Sequence, residues 1–194
     1  MSLATVVLVS GNGSNLQAII DAVQQGLDVQ IRSVISNNPH AFGLERAKKA
    51  GIPAHAIDHK QFATRSDFEA ALSKQIDIYH PDIIVLAGFM RQLTPPFVAR
   101  YQGKMINVHP SLLPKYPGLN THERVLQAGE IIHGVTIHYV TEDIDCGPII
   151  AQANLTIGPG ETIESLKKRI HTLEHDLYPK VLSWLAQGHI SPLT

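Results

Sequence analysis

Short apolar runs followed by longer segments of helical spacing limit how this chain can fold. Thr5–Ser10, Asp82–Ala87 and Met105–Val108 are nearly continuous in β-branched and aliphatic residues. Strands of that kind are buried on both faces, as in a parallel sheet sandwiched between helices. The pattern predicts a helix from about Ser14 to Gln25, a strand over Val29–Ser36, and a helix over Ala41–Ala50. A short strand at Ala54–Ile57, a helix over Ser66–Tyr79 and a Pro-led helix near Pro95–Tyr101 come next. The predicted class is therefore α/β, an open, doubly wound, mostly parallel sheet with right-handed crossovers. Ligands in such sheets gather at the carboxyl ends of the strands. After Gly134 the period changes: Val135, Ile137 and Tyr139 alternate with Thr136, His138 and Val140, and Gly147-Pro148 precedes Ile149–Ile157. That reads as a C-terminal antiparallel strand pair, closed by a helix from about Glu161 to Gln187. Ser14 and Asn15 are expected to cap the first helix and Thr162 the last.

The length, 194 residues, suits a single domain with a real core. Sixteen basic and 17 acidic residues give a net charge of −1, which builds no cationic surface for nucleic acid. The one cysteine, Cys146, excludes an internal disulfide and a Cys-rich zinc site. The start of the chain lacks the basic and apolar regions of a signal peptide, and no apolar run nears the roughly 18 residues of a membrane span. The expectation is a cytoplasmic protein with no membrane partner. Nothing in Ser191–Thr194 suggests a separate function.

Gly11-Asn12-Gly13-Ser14-Asn15 falls between a buried strand and a helix. Glycines there let the backbone approach an anion at the positive end of the helix, so a phosphate is one reading. A tight turn with no ligand is the other. Leu16 stands where a dinucleotide fingerprint needs its third glycine, and no Gly-Lys-Ser/Thr follows for a Walker loop.

Asn107 and His109 end a predicted parallel strand and, one residue apart, face the same side. An amide donor beside an imidazole suits oxyanion stabilisation and proton transfer. A buried, satisfied histidine explains the same spacing. Pro110, Pro114, Pro117 and Gly118 then predict a rigid, non-helical loop. Asp145, in the polar turn Thr141–Pro148, has no support of its own from spacing. Asp143, Asp145 and Gly147 hint at a calcium loop, but the distal glutamate is lacking, with Asn154 in its place. His171-Thr172-Leu173-Glu174-His175 fits a helical zinc pattern, yet with 11 histidines in the chain a polar helix face is the plainer reading.

Taken together, these segments resemble the folate-dependent formyltransferases over about residues 6–188. The resemblance rests on Ser10–Ile19, Ala87-Gly88-Phe89-Met90-Arg91, Asn107–Gly118, Asp145–Pro148 and Glu174-His175. Asn-Val-His-Pro-Ser-Leu-Leu-Pro with a downstream aspartate is shared by the wider family. The Gly-Asn-Gly-Ser-Asn loop and Lys-Tyr-Pro-Gly point to the glycinamide ribonucleotide branch.

The resemblance implies a Rossmann-like formyltransferase domain over 1–194, with a nucleotide-binding half of about 1–101 and a folate and catalytic half of about 102–194. It implies formyl transfer from 10-formyltetrahydrofolate to the amine of glycinamide ribonucleotide, through a tetrahedral oxyanion and without a metal. Asn107, His109 and Asp145 would be catalytic, Asp145 favouring the charged imidazole. Gly13, Ser14 and Asn15 would take the phosphate, and Glu174 the ribose hydroxyls, which displaces the zinc reading. The folate site would use Arg65, Met90, Arg91, Gln92, Leu93, Asn107, Thr141, Glu142, Asp143, Ile144 and Asp145. Leu86, Phe97, Val98, Met105 and Val140 would be its apolar wall.

Two positions depart from the family's pattern. Gln92 replaces a usual aliphatic residue beside the folate, and Cys146 replaces a small one. Partners are expected to be these small molecules, in a monomer or homodimer. A methionyl-tRNA formyltransferase is expected to carry a further nucleic-acid-binding domain, for which this length leaves no room. A non-catalytic nucleotide-binding module accounts for the glycine loop and leaves Asn107, His109 and Asp145 unexplained.

Overall fold

Along β1 (Leu3–Val9), Val7 and Val9 pack to one side while Val6 and Leu8 pack to the other, so the strand is buried on both faces. A computed structural model describes residues 2–190; the C-terminal segment 191–194, with its expected lack of function, lies outside the described residues. The remaining strands are β2 (Val29–Ser36), β3 (Ala54–Ala56), β4 (Ile83–Leu86), β5 (Met105–His109), β6 (Ile132–Tyr139) and β7 (Ile149–Thr156). They form one sheet in the order β3-β2-β1-β4-β5-β6-β7. The first five are parallel, and β6 and β7 are antiparallel to their neighbours. The strand order reverses between β1 and β4, which opens a crevice at their carboxyl ends.

Helices α1 (Ser14–Gln24), α2 (Phe42–Lys49) and α6 (Ile163–Ala186) cover one face of the sheet. Helices α3 (Arg65–Asp77) and α4 (Pro95–Arg100) cover the other. Tyr178 of α6 is fully buried, and its hydroxyl donates to Leu86 O at 2.8 Å, which docks the helix on β4. Glu69 of α3, also buried, accepts from Thr94 N at 2.8 Å and so holds the start of α4. No helix among the described residues is long and apolar enough to cross a membrane.

Three local expectations need correction. Neither Ser14 nor Asn15 caps α1: Gly13 holds the cap position at φ 73°, with no side-chain bond. Thr162 does cap α6, accepting from Ser165 N at 3.2 Å. A helix not expected from the pattern, α5 (Thr121–Gln127), follows the proline loop. Strand β6 starts at Ile132, ahead of Gly134, because that glycine fits inside the strand: a Cβ there would lie 2.2 Å from Ala153 O.

Candidate active site

The two-residue period of a strand sorts β5 and β6 into an apolar face and a polar one. Val108, Val135, Ile137 and Tyr139 join the core beneath α6. Asn107, His109, Thr136 and His138 face the other way. The register sets Asn107 opposite His138 and His109 opposite Thr136.

His138 fixes the orientation of Asn107. Its Nδ1 lies 3.0 Å from Tyr139 O, an acceptor, so Nδ1 carries the proton. Nε2 is then the lone-pair nitrogen and accepts from Asn107 Nδ2 at 3.3 Å. Burial pushes the His138 pKa down, which favours this neutral tautomer. One amide hydrogen of Asn107 is thereby used and the second remains for a ligand oxygen. Sequence reading missed His138, although the alternation in β6 already put it on the same side as Thr136.

His109 is 5% exposed and lies between two acceptors. Its Nδ1 is 3.3 Å from Asp145 Oδ2 and its Nε2 is 2.9 Å from Tyr116 O. The Tyr116 carbonyl accepts from Nε2–H, and the Asp145 carboxylate faces Nδ1 at ion-pair distance. Asp145 reaches this place from the loop joining β6 to β7, at φ 54°, and its Oδ2 also accepts from Gly118 N at 2.8 Å. Its Oδ1 is 3.8 Å from His138 Nε2. Asp145 therefore ties the 141–148 loop to the proline loop and to His109. Thr136 anchors the proline loop from below: its Oγ1 donates to Ser111 O at 2.7 Å and accepts from Leu113 N at 3.0 Å.

The glycine loop shares the same sheet edge. Leu8 of β1 is in register with Leu86 of β4, Leu86 with Asn107, and Asn107 with His138. With strands about 4.8 Å apart, the loop after β1 is offset from Asn107 by roughly 10 Å. Among the described residues, nothing accepts from the amides of Gly13, Ser14 or Asn15. Such amides at a helix start are unpaired by geometry. Asn15 is 8% exposed; its Nδ2 donates to Glu174 Oε2 at 2.9 Å, and its Oδ1 is buried without a donor. Burial raises the Glu174 pKa, against the Asn15 bond. Glu174 thus turns to the glycine loop, while the rings of His171 and His175 stack on each other. Among the described residues, no group of three or more His, Cys, Asp and Glu side chains is arranged to hold a metal ion.

The residues expected at a folate site fall into two kinds. Leu86, Phe97, Val98 and Met105 form one apolar cluster, with Leu93 and Val140 packed against it. Met105 is fully buried and backs the others. Met90 and Ile144 are 75% and 54% exposed, two large apolar side chains left uncovered on loops. The Met90 loop is tied to β1, since Met90 N donates to Ser10 Oγ at 2.7 Å. Arg65, Gln92, Glu142, Asp143 and Cys146 are exposed, Arg91 and Thr141 partly so. A separate cavity of about 830 Å³ opens at the amino ends of β1 and β2, beside Arg32 and Asp82. Both are bonded to backbone, Arg32 to Tyr79 O and Asp82 to Ala4 N.

Behind the proline loop, His122 Nδ1 and His133 Nε2 lie 3.1 Å apart. Burial, with neighbouring positive charge, pushes each pKa down to about 4. An unfolded histidine titrates near 6.5, so between those values the unfolded chain binds more protons. Their contribution to stability is thus complete above about pH 6.5 and is lost as pH falls towards 4. Urea midpoints measured from pH 7.5 to 4.5 are expected to fall less steeply for His122→Asn than for wild type. Equal slopes would remove the pair as a source of acid sensitivity.

Comparison with known proteins gives one answer. The family profile described as formyl transferase matches residues 3–182. Phosphoribosylglycinamide formyltransferase of Escherichia coli (strain K12) is 49% identical over 186 residues, 95% of this chain and 88% of that protein. The Homo sapiens trifunctional purine biosynthetic protein adenosine-3 is 43% identical over 185 residues, 95% of this chain but 18% of that protein. The solved phosphoribosylglycinamide formyltransferase from Coxiella burnetii superposes with a TM-score of 0.94 at 61% identity, covering 97% of this chain and 89% of that one. A strand-end Asn-x-His with a returning aspartate, on a sheet of this order, accompanies that likeness, and the chain belongs to the phosphoribosylglycinamide formyltransferase family.

Proposed function

We propose that this chain transfers a formyl group from 10-formyltetrahydrofolate to the primary amine of N1-(5-phosphoribosyl)glycinamide, in de novo purine biosynthesis. The observation that carries the reading is the registered row Leu8, Leu86, Asn107 and His138, which offsets the glycine loop from the Asn107 amide by about 10 Å. An acceptor with a phosphate at one end, a ribose in the middle and an amine at the other end matches that offset. In this reading the amides of Gly13, Ser14 and Asn15 hold the phosphate. Glu174 accepts from the ribose hydroxyls, and the unmatched Asn15 Oδ1 is a further acceptor beside it.

The residues present fit a folate. The exposed Met90 and Ile144 offer apolar cover for a flat ring, with Leu86, Leu93, Phe97, Val98 and Val140 beside it and Met105 behind. Arg65, Arg91, Gln92 and Thr141 to Asp145 provide the polar contacts. The cosubstrate supplies the formyl carbon and the nitrogen that leaves. Asn107 donates its free amide hydrogen to the formyl oxygen as negative charge grows there. His109, held between Asp145 and the Tyr116 carbonyl, supplies positive charge. Both its nitrogens face protein acceptors, so the proton lost by the attacking amine reaches the departing nitrogen through water. The chain acts as one domain on small molecules in the cytoplasm, and needs neither a metal nor a covalent enzyme intermediate.

The test is direct. Purified protein with 10-formyltetrahydrofolate is expected to formylate glycinamide ribonucleotide, in preference to other amine acceptors and unaffected by chelator. Turnover that a chelator abolishes and zinc restores would overturn the metal-free mechanism. A stronger preference for a different amine would overturn the acceptor.

A further inference from the structure

One cation clamps the glycine loop from outside. Arg46 of α2 donates from Nε to Asn12 O at 2.8 Å, from Nη2 to Asn12 Oδ1 at 2.9 Å, and from Nη1 to Gln17 Oε1 at 3.1 Å. Its guanidinium carbon lies 4.8 Å from the centre of the Phe42 ring. A planar fork with three bonds and a stacked face has little freedom left. The helix that carries it is pressed onto the loop. Gly43 N donates to Gly11 O at 3.0 Å, and a Cβ on Gly13 would fall 2.7 Å from Gly43 Cα. Asn38 Nδ2 takes Ser10 O at 3.4 Å.

Three successive carbonyls, Ser10, Gly11 and Asn12, are therefore drawn towards α2 and its approach. In a trans peptide the N–H points opposite to the C=O. Holding Asn12 O against Arg46 thus turns the Gly13 N–H away from α2. That is the orientation an oxyanion needs from the loop.

We propose that Arg46 is a positioning and specificity residue for the acceptor's phosphate monoester. By gripping Asn12 at both its carbonyl and its side chain, it holds the amides of Gly13, Ser14 and Asn15 ready for the anion. Its charge favours a phosphate over an uncharged hydroxymethyl group at the same place. The inference rests on the acceptor reading above. Arginine stays charged at any working pH, and two of its five N–H groups have no acceptor among the described residues. His171 and His175, on the α6 segment beside the loop, are pushed by burial towards the neutral form. Glu174 is pushed the same way. Arg46 is the cation bonded to the loop itself, whereas Lys49 lies over the same Phe42 ring and, among the described residues, makes no bond to the loop.

The experiment compares wild type with Arg46→Gln, Arg46→Lys and, on the same helix, Lys49→Gln. Arg46→Gln is expected to raise KM for glycinamide ribonucleotide at least about tenfold, the scale of one charge-assisted bond lost. Competitive inhibition by inorganic phosphate should weaken in parallel. The kcat and the KM for 10-formyltetrahydrofolate should stay within about threefold, which a general loss of folding would not allow. Arg46→Lys restores charge without the fork and should recover part of the affinity; Lys49→Gln should match wild type. Unchanged acceptor KM and unchanged phosphate inhibition in Arg46→Gln would overturn the role, as would equal losses towards both substrates. If Arg46→Gln does not fold, a wild-type KM and phosphate inhibition in Arg46→Lys would overturn the fork's part. If wild type itself fails to turn over this acceptor, the acceptor reading falls. Heat protection by inorganic phosphate, lost in Arg46→Gln, would then still uphold the clamp, and equal protection would end it.

Discussion

Asp145→Asn is expected to lower kcat by about 10²–10⁴-fold while leaving the KM for the phosphorylated acceptor within about threefold of wild type. The substitution keeps the shape of the side chain, and asparagine tolerates the φ of 54° that this position requires. The amide oxygen still accepts from Gly118 N, so the loop retains its anchor. That same oxygen position faces His109 Nδ1, and the NH₂ takes the place of Oδ1 near His138 Nε2, so the geometry is kept and only the carboxylate's negative charge is removed. The negative charge that faces His109 is lost, yet the glycine loop two strands away is untouched. Steady-state kinetics with varied acceptor and varied folate will decide it. A kcat within about fivefold of wild type would remove Asp145 from the chemistry. His109→Asn should cost a similar factor, and the double variant little more, because the two act as one unit.

Gly147→Ala is expected to be the most damaging single methyl in the site region. A Cβ at 147 would lie 1.7 Å from Tyr139 O and 2.9 Å from Tyr139 C, both backbone atoms. They cannot step aside, because Tyr139 N is bonded to Pro148 O at 2.9 Å across the same turn. The turn must open, and Asp145, two residues earlier, leaves His109. Loss of more than about 3 kcal/mol of stability is expected, with turnover falling alongside it. Urea unfolding and a formylation assay on the same preparation test both. A variant with wild-type midpoint and wild-type rate would mean that the turn is not built as described.

What the sequence revealed, and what it hid, follows from how far each interaction reaches. Strands β1, β4 and β5 were legible because residues buried on both faces leave continuous apolar runs. Helix α5 was not: of its seven residues only Thr121 and Val125 are buried, and Asn120 before it makes no side-chain cap. The start of β6 was obscured by Gly134, a residue that usually breaks strands and here is required inside one. Within the site, Asn107 and His109 were visible as a pair because one strand carries both. Asp145 was not, since it meets His109 only after β6 has turned back along β5. His138 and Arg46 lay hidden for the same reason. Each acts on a residue that is distant in sequence, and neither interrupts the pattern of its own element.

The row from Leu8 through Leu86 and Asn107 to His138 also bears on what can be changed. On the proposed reading, the width between the two ends of the acceptor is set by the spacing of hydrogen-bonded strands. Side chains decide what chemistry is done at each end, but none of them measures the gap. Selectivity for the acceptor's reach is thus inherited from the backbone. Substitutions in the loops can weaken, strengthen or redirect the reaction, while an acceptor of different length calls for a different sheet.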